Sequence, residues 1–236
     1  GVNQYFQLPQ CTISSNPYGG PTGVFGLPSC IALQYGALSI VFWFYLPPGG
    51  MGALIGSTHD VQYPSSPSGA IGEMYIGTDG NFYFAELSTN SDSKTLSTPI
   101  SPGWHIAIWE ERVSSTNATV YAYMDGKYIG SIALSGLTWT IDGSGESVPY
   151  WDIGTAYACG WPAFPCDQWF FFNGSIALVA LYPTVLNSTQ VASIGNGTNF
   201  KGLPPGYVAL YVGNSYVPGS QVWVDASGHG YNAQGY

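Results

Sequence analysis

The chain carries thirteen Asp and Glu residues, so paired carboxylates are the first chemistry to test. Glycoside hydrolysis needs two carboxyl groups roughly 5 to 9 Å apart across a cleft. Alternate positions on one strand would put such a pair on one face, but no E-x-D-x-x-E run occurs. Glu110 and Glu111 are adjacent, so a strand points them to opposite faces. They read as one solvated and one partly covered residue. Glu73 and Asp60 lie in turn-rich stretches and lack a spaced partner. A nucleophile elbow reads G-x-S-x-G, and neither Gly143-Ser144-Gly145 nor Ser227-Gly228 completes one. His59, His105 and His229 are scattered, and His105, directly after Trp104, reads as a packing residue. No phosphate-cradling glycine pattern stands beside a helix. No catalytic residue is expected, and an enzyme is not the expected class.

The cysteines suggest staples rather than ligands. There are four, an even set. Cys11 and Cys30 bracket a Pro/Gly-rich loop, and Cys159 and Cys166 bracket Gly160 to Pro165. Three connectivities exist. The expected one is 11–30 with 159–166, each closing a local loop worth about 3 kcal/mol before strain. Zinc would want C-x2–4-C spacing, and neither interval fits. Four N-glycosylation sequons stand at Asn117, Asn173, Asn187 and Asn196. The first residue is Gly1, with no basic-plus-apolar leader, which reads as a processed end. The longest apolar-rich stretch, Ala37 to Leu46, is shorter than the roughly 18 residues of a membrane helix. The expected setting is extracellular or on a cell surface.

Charge excludes two classes of partner. Only 7% of the 236 residues are charged, against roughly 25% in an average globular chain. Four Lys and Arg face thirteen acids, for a net charge of −9. Lys94, Arg112, Lys127 and Lys201 are far apart in sequence, so no basic cluster exists for phosphates or an anionic membrane. With 45% hydrophobic residues the chain can order itself. In acid its carboxylates protonate and the surface becomes almost uncharged. That fits an acid habitat or a generic secreted β protein with an acidic bias, and both stay open.

Residues outside the chemistry must supply the frame. Leu38 to Leu46 is β-branched and aromatic and stops at Pro47-Pro48, as a buried strand does. Ala70 to Ile76 and Asn81 to Leu87 flank Thr78-Asp79-Gly80, a hairpin signal. Trp104 to Val113, Thr119 to Met124 and Lys127 to Leu134 form a meander turning at Asp125-Gly126. Tyr150 to Thr155, Trp169 to Phe172, Ser175 to Leu181, Tyr207 to Val212 and Gln221 to Val224 complete the strands. Leu186 to Ile194 is the one credible helix, with Asn187 or Ser188 as N-cap and Gly195 or Gly197 beyond its end. It must pack on a sheet through Val191 and Ile194. Many short strands and one helix predict an all-β sandwich or barrel.

Several of these pieces resemble a known group. Gly103-Trp-His-Ile-Ala-Ile, then Val120 to Gly126, resembles the laminin-G/pentraxin-like members of the concanavalin A-type jelly rolls. Trp151-Asp-Ile-Gly154, Phe172 to Tyr182, Leu186 to Val191 and Leu38 to Leu46 resemble further strands and the helix start of that group. Their shared order spans roughly residues 35 to 200. The ends depart from the group. Asp225-Ala-Ser-Gly-His-Gly-Tyr-Asn-Ala233 resembles an opening motif, yet it stands at the C-terminus. The order reads as a circular permutation, with a β-sandwich over 1–206 and a C-terminal strand segment over 207–236. That segment completes its own sandwich, fills the same place in the next subunit, or belongs to a longer array.

The resemblance implies a jelly-roll β-sandwich with one short helix and a calcium site near its rim. Asp225, Ser227 and Asn232 are the candidate ligands; the alternative is an Asx/Ser turn. Otherwise no cofactor is expected. Trp161 and Phe164, inside the Cys159–Cys166 loop, either face outward for a sugar or a neighbour, or cover the end of the sandwich. Tyr207, Leu210, Val212, Val222 and Val224 are the candidate joint of a strand exchange. A head-to-tail contact that does not close makes an open filament. The set of features resembles an archaeal-type surface filament. A structural homopolymer is therefore the first expectation, and a carbohydrate-binding adhesion module is the second.

Overall fold

The computed structural model describes residues 5–9, 37–57, 71–87, 93–113, 117–135, 151–158, 160–166 and 168–236. Cys11, Cys30, Cys159, His59 and Asp60 lie outside them. In chain order the strands are β1 (Phe6–Gln7), β2 (Ala37–Leu46), β3 (Gly52–Ser57), β4 (Ile71–Ile76), β5 (Asn81–Leu87), β6 (Ser93–Pro99), β7 (Gly103–Val113), β8 (Asn117–Met124), β9 (Lys127–Ser135) and β10 (Trp151–Ile153). There follow β11 (Tyr157–Ala158), β12 (Gln168–Trp169), β13 (Ser175–Tyr182), the helix α1 (Ser188–Ile194), β14 (Gly195–Asn196), β15 (Asn199–Phe200), β16 (Ala209–Val212), β17 (Tyr216–Val217), β18 (Val222–Trp223) and β19 (Ala233–Gly235).

Two antiparallel sheets face each other. One has the order β17-β18-β19-β1-β10-β3-β4-β5-β6, and the other β16-β13-β2-β7-β8-β9. The alternation that drives this is clear on β7. Ala107 and Trp109 point into the inter-sheet core, while Ile106 and Ile108 point to the outer face. The strand β2 is buried on both faces, so its sequence reads as a continuous apolar run. Along one side the sheet edges are bridged, with Lys94 Nζ of β6 donating to the Ala133 carbonyl of β9 at 2.6 Å. At the other side the chain passes from β16 in one sheet to β17 in the other.

Both outer faces are covered. Over the six-stranded sheet lies α1, burying Val191 and Ile194 against Val41, Ile106 and Tyr182. The helix starts as the sequence predicts. The Asn187 side chain accepts from Gln190 N at 2.9 Å, and Gln190 Oε1 accepts from Asn187 N at 2.9 Å, a reciprocal cap. Over the nine-stranded sheet lies the excursion from Thr155 to Phe170, which packs on Ala53, Tyr75, Tyr83 and Ala85.

This double cover corrects the expectation for the acidic pair. Glu110 and Glu111 do point to opposite faces, but both are buried. The core takes Glu111, and the covered outer face takes Glu110. Burial pushes the Glu110 carboxyl up to about 7 against the pull of Arg112. Burial also drives Glu111 well above the usual carboxylate range, with a hydrogen bond from Trp109 opposing it.

Candidate functional site

A cleft of about 410 Å3 opens where the two sheets part, beside the C-terminal segment. Small-molecule sites span about 300 to 1,000 Å3. Phe172 and Ile176 line it from one side, and Phe6, Ile153 and Trp223 from the other. Tyr5, Tyr216, Gln221 and Tyr236 stand around it with polar groups. The floor is set by Trp223, which is buried, lies 4.9 Å from Phe6 and 5.6 Å from Tyr211 between ring centroids, and donates Nε1–H to the Val212 carbonyl at 2.7 Å. Gln221 sits at φ 54, the left-handed region that non-glycine residues enter at a cost. Its carbonyl accepts from Gly235 N at 2.6 Å, which fixes the turn against β19.

A row of aromatic rings leads out of the cleft. Tyr236 stacks on Tyr5 at 5.4 Å, Tyr5 on Trp169 at 5.7 Å, and Trp169 on Phe171 at 6.1 Å. Two of its members are open to solvent, Tyr236 at 56% and Trp169 at 38% exposure. Burial and the neighbouring Asp152 carboxylate raise the Tyr5 phenol above its ordinary range, so it stays a hydroxyl donor.

One side of the cleft is held by a clasp on Asp225. Its Oδ1 accepts from the backbone N–H of Leu210 and Ser227, both at 2.9 Å. Its Oδ2 accepts from the Ser227 hydroxyl at 2.8 Å and Tyr231 N at 3.1 Å. Asn232 Oδ1 accepts from Asp225 N at 2.9 Å. Burial opposes the charge, but these bonds outweigh it and hold the carboxyl below its usual range. The arrangement does not fit a calcium ion. Every oxygen offered by Asp225 and Asn232 already faces a donor, and a cation would have to displace four bonds from the carboxylate alone. The geometry is that of an Asx turn joining β16 to the chain after β18.

A second clasp centres on His105, outside the cleft lining. His105 Nδ1 meets Asp125 Oδ2 at 2.8 Å, and its Nε2 meets the Ser101 carbonyl at 2.7 Å. Both partners are acceptors, so both ring nitrogens donate. Burial works against the charge, yet the hydrogen bonds to Asp125 and Ser101 raise the His105 pKa overall. Asp125 Oδ1 in turn accepts from Ile106 N and Gly197 N. The histidine expected only to pack is a hydrogen-bonded ion pair.

The outer face under the Thr155–Phe170 excursion holds two acids, Glu73 and Asp152. Asp152 is opposite Gly56, and Gly56 lies one residue beyond the Ile55–Met74 pair, opposite Glu73. The two acids therefore share one row, two strands apart, about 10 Å between backbones. Both are fully buried. Ala156 lies on Gly56 between them; a Cβ on Gly56 would stand 2.3 Å from the Ala156 Cβ. Asp152 is pushed up to about 7 by burial, against a 3.4 Å hydrogen bond from Gln7.

The remaining sequence candidates separate. Trp161 and Phe164 turn inward, at 6% and 8% exposure, because the excursion folds its aromatic side onto the sheet. Outward presentation is thus corrected to covering. Tyr207, Leu210 and Val212 pack on the outer apolar layer near α1, and Tyr207 meets Tyr182 edge-on. Val222 is half-buried and Val224 exposed. Asn117, Asn173, Asn187 and Asn196 are all exposed. Cys166 is disulfide-bonded. Sequence reading missed Tyr5, Phe6, Tyr216, Gln221 and Tyr236. The signal for them was the density of aromatics at both ends of the chain.

No protein-family model matches the chain, and no curated protein matches it in sequence. Solved structures do match in fold. A Bacteroides ovatus ATCC 8483 protein described as carbohydrate binding aligns with a TM-score of 0.57 at 14% identity, over 99% of this chain and 56% of that one. The chain thus spans little more than half the length of that protein. A NanB structure with Optactamide gives a TM-score of 0.51 at 13% identity, over 70% of this chain and 24% of that one. The heptameric SAP-like pentraxin of Limulus polyphemus covers 85% of each chain at 14% identity, with a TM-score of 0.44.

Proposed function

The fold is a jelly-roll β-sandwich of the concanavalin A/laminin G-like kind, and from that premise we propose that the chain is a secreted or surface carbohydrate-binding module. The observation that carries this is the aromatic-lined cleft of about 410 Å3, with Tyr5, Tyr216, Gln221 and Tyr236 placing hydrogen-bonding groups around apolar walls. Sugars present C–H faces to aromatic rings and hydroxyls to polar groups, and this lining offers both. The test is a glycan panel read with the full chain and with Tyr216→Ala. Retention of one or more glycans by the wild type, with loss in the variant, supports the reading. No retention on a broad panel overturns it.

A second reading has its own support. Residues 207–236 add β16 to one sheet and β17–β19 to the other, through the linker from Gly202 to Gly206. A segment that completes both sheets could do so in a second copy, giving a head-to-tail polymer. Regular fibres in electron micrographs that vanish when 207–236 is deleted would support it. A monomer that unfolds on deletion would remove it.

A further inference from the structure

We infer that the cleft selects uncharged saccharides and takes them without a metal ion, a claim that rests on the carbohydrate-binding reading. Among the described residues, the cationic side chains lie outside the lining of the cleft. Lys94 is tied to β9 at the far edge of the sandwich. Arg112 lies on β7, Lys127 at the start of β9, and Lys201 just after β15. None of the four lines the cleft, and neither His105 nor His229 does. A sugar carboxylate or sulfate would need a partner such as Arg to offset its desolvation. It would find instead phenols, an amide and backbone.

The surroundings oppose an anion further. The chain has a net charge of −9, and that field repels anions at long range. What the rim offers is ring surface. Tyr236 and Tyr5 are stacked 18° from parallel, and the outer ring is more than half exposed. A neutral pyranose can cover that ring with its apolar face and direct hydroxyls to Tyr216 and Gln221.

The test uses isothermal titration of the untagged full chain with lactose, cellobiose, maltose and chitobiose, and with sialyllactose and a sulfated disaccharide. Each is measured with and without EDTA, at about 50 and 500 mM NaCl. The expected result is binding of at least one neutral sugar, unchanged by EDTA and by salt, with sialyllactose no tighter than lactose. Tyr236→Ala is expected to weaken that binding about 2- to 12-fold, the fold-change equivalent of one aromatic contact. A sialylated or sulfated ligand that binds more tightly than its neutral parent overturns the inference while leaving the carbohydrate reading standing. So does binding abolished by EDTA, or binding indifferent to Tyr236→Ala. If no sugar of either class binds, the carbohydrate reading itself falls.

Discussion

Tyr5 and Tyr236 exchange two backbone hydrogen bonds, at 3.0 and 3.4 Å, and stack their rings at 5.4 Å. Two residues near opposite ends of the sequence thus form one antiparallel pair and one rim of the cleft. The pairing continues into Phe6 opposite Gly235 and Gln7 opposite Gln234. Folding and site assembly are the same event here, because neither end can shape the cleft without the other.

Trp223→Ala should cost about 3 to 5 kcal/mol, the usual range for truncating a buried aromatic. Trp223 carries the cleft floor and links Phe6, Tyr211 and the Val212 carbonyl. Chemical denaturation measures the loss. A change below about 1 kcal/mol would mean that this corner is loosely packed.

Stability should peak on the acid side of neutrality. The folded pKa values of Asp152 and Glu110 are raised to about 7 from 3.8 and 4.5 by burial. A raised folded pKa contributes stability below the unfolded value and loses it as pH climbs through the folded one. The slope is about 1.4 kcal/mol per pH unit for each group that must be kept neutral. The raised pKa of His105 acts in the same direction. Asp125 and Asp225, both lowered, act oppositely and lose their contribution as pH falls through their folded values. Tm should therefore rise from pH 8 toward about pH 5 and decline in stronger acid, with the first limb flatter in Asp152→Asn. A Tm that rises steadily from pH 5 to pH 8 would contradict this.

Asp225→Asn should loosen the C-terminal segment. The amide keeps one acceptor oxygen but turns the other position into a donor facing the N–H of Tyr231 and the Ser227 hydroxyl. Losing charge-assisted bonds of this kind costs about 1.5 to 3 kcal/mol. Limited proteolysis should then cut within residues 213–236 sooner than in the wild type. Millimolar calcium should leave the wild-type Tm unchanged, since the carboxylate is already saturated by donors. A calcium-dependent rise would reopen the ion-binding alternative.

Asn173 lies between Phe172 and Gly174, and both flank the cleft. A glycan on this exposed asparagine would compete for the same space. Enzymatic glycan removal, or Asn173→Gln, should strengthen binding of free sugars. Intact mass establishes whether the sequon is occupied, and an occupied sequon whose removal changes nothing would separate it from the cleft.

Elements whose information is local were legible in the sequence. The apolar run of β2, the Asp79-Gly80 hairpin between β4 and β5, and the Asn187 cap of α1 all formed where expected. Their signals lie within a few residues. The strand β6, Ser-Lys-Thr-Leu-Ser-Thr-Pro, went unread because an edge strand carries polar residues and a terminal proline and so lacks the apolar signature. Glu73 and Asp152 were unreadable as neighbours for a different reason. What aligns them is the register of three strands, one of them distant in sequence and brought alongside only by tertiary pairing. The cleft was illegible as a site because its residues come from both ends of the chain, and only closure of the sheet edge brings them together.

Because Tyr5 and Tyr236 adjoin at the rim, a polypeptide attached at residue 236 would depart from the mouth of the cleft. An affinity handle there would act as a tethered competitor, present at the high local concentration of a short linker. Immobilisation through Lys94, across the sandwich on β6, would leave the aromatic row free, and the choice of attachment point would then decide whether a binding experiment sees the cleft at all.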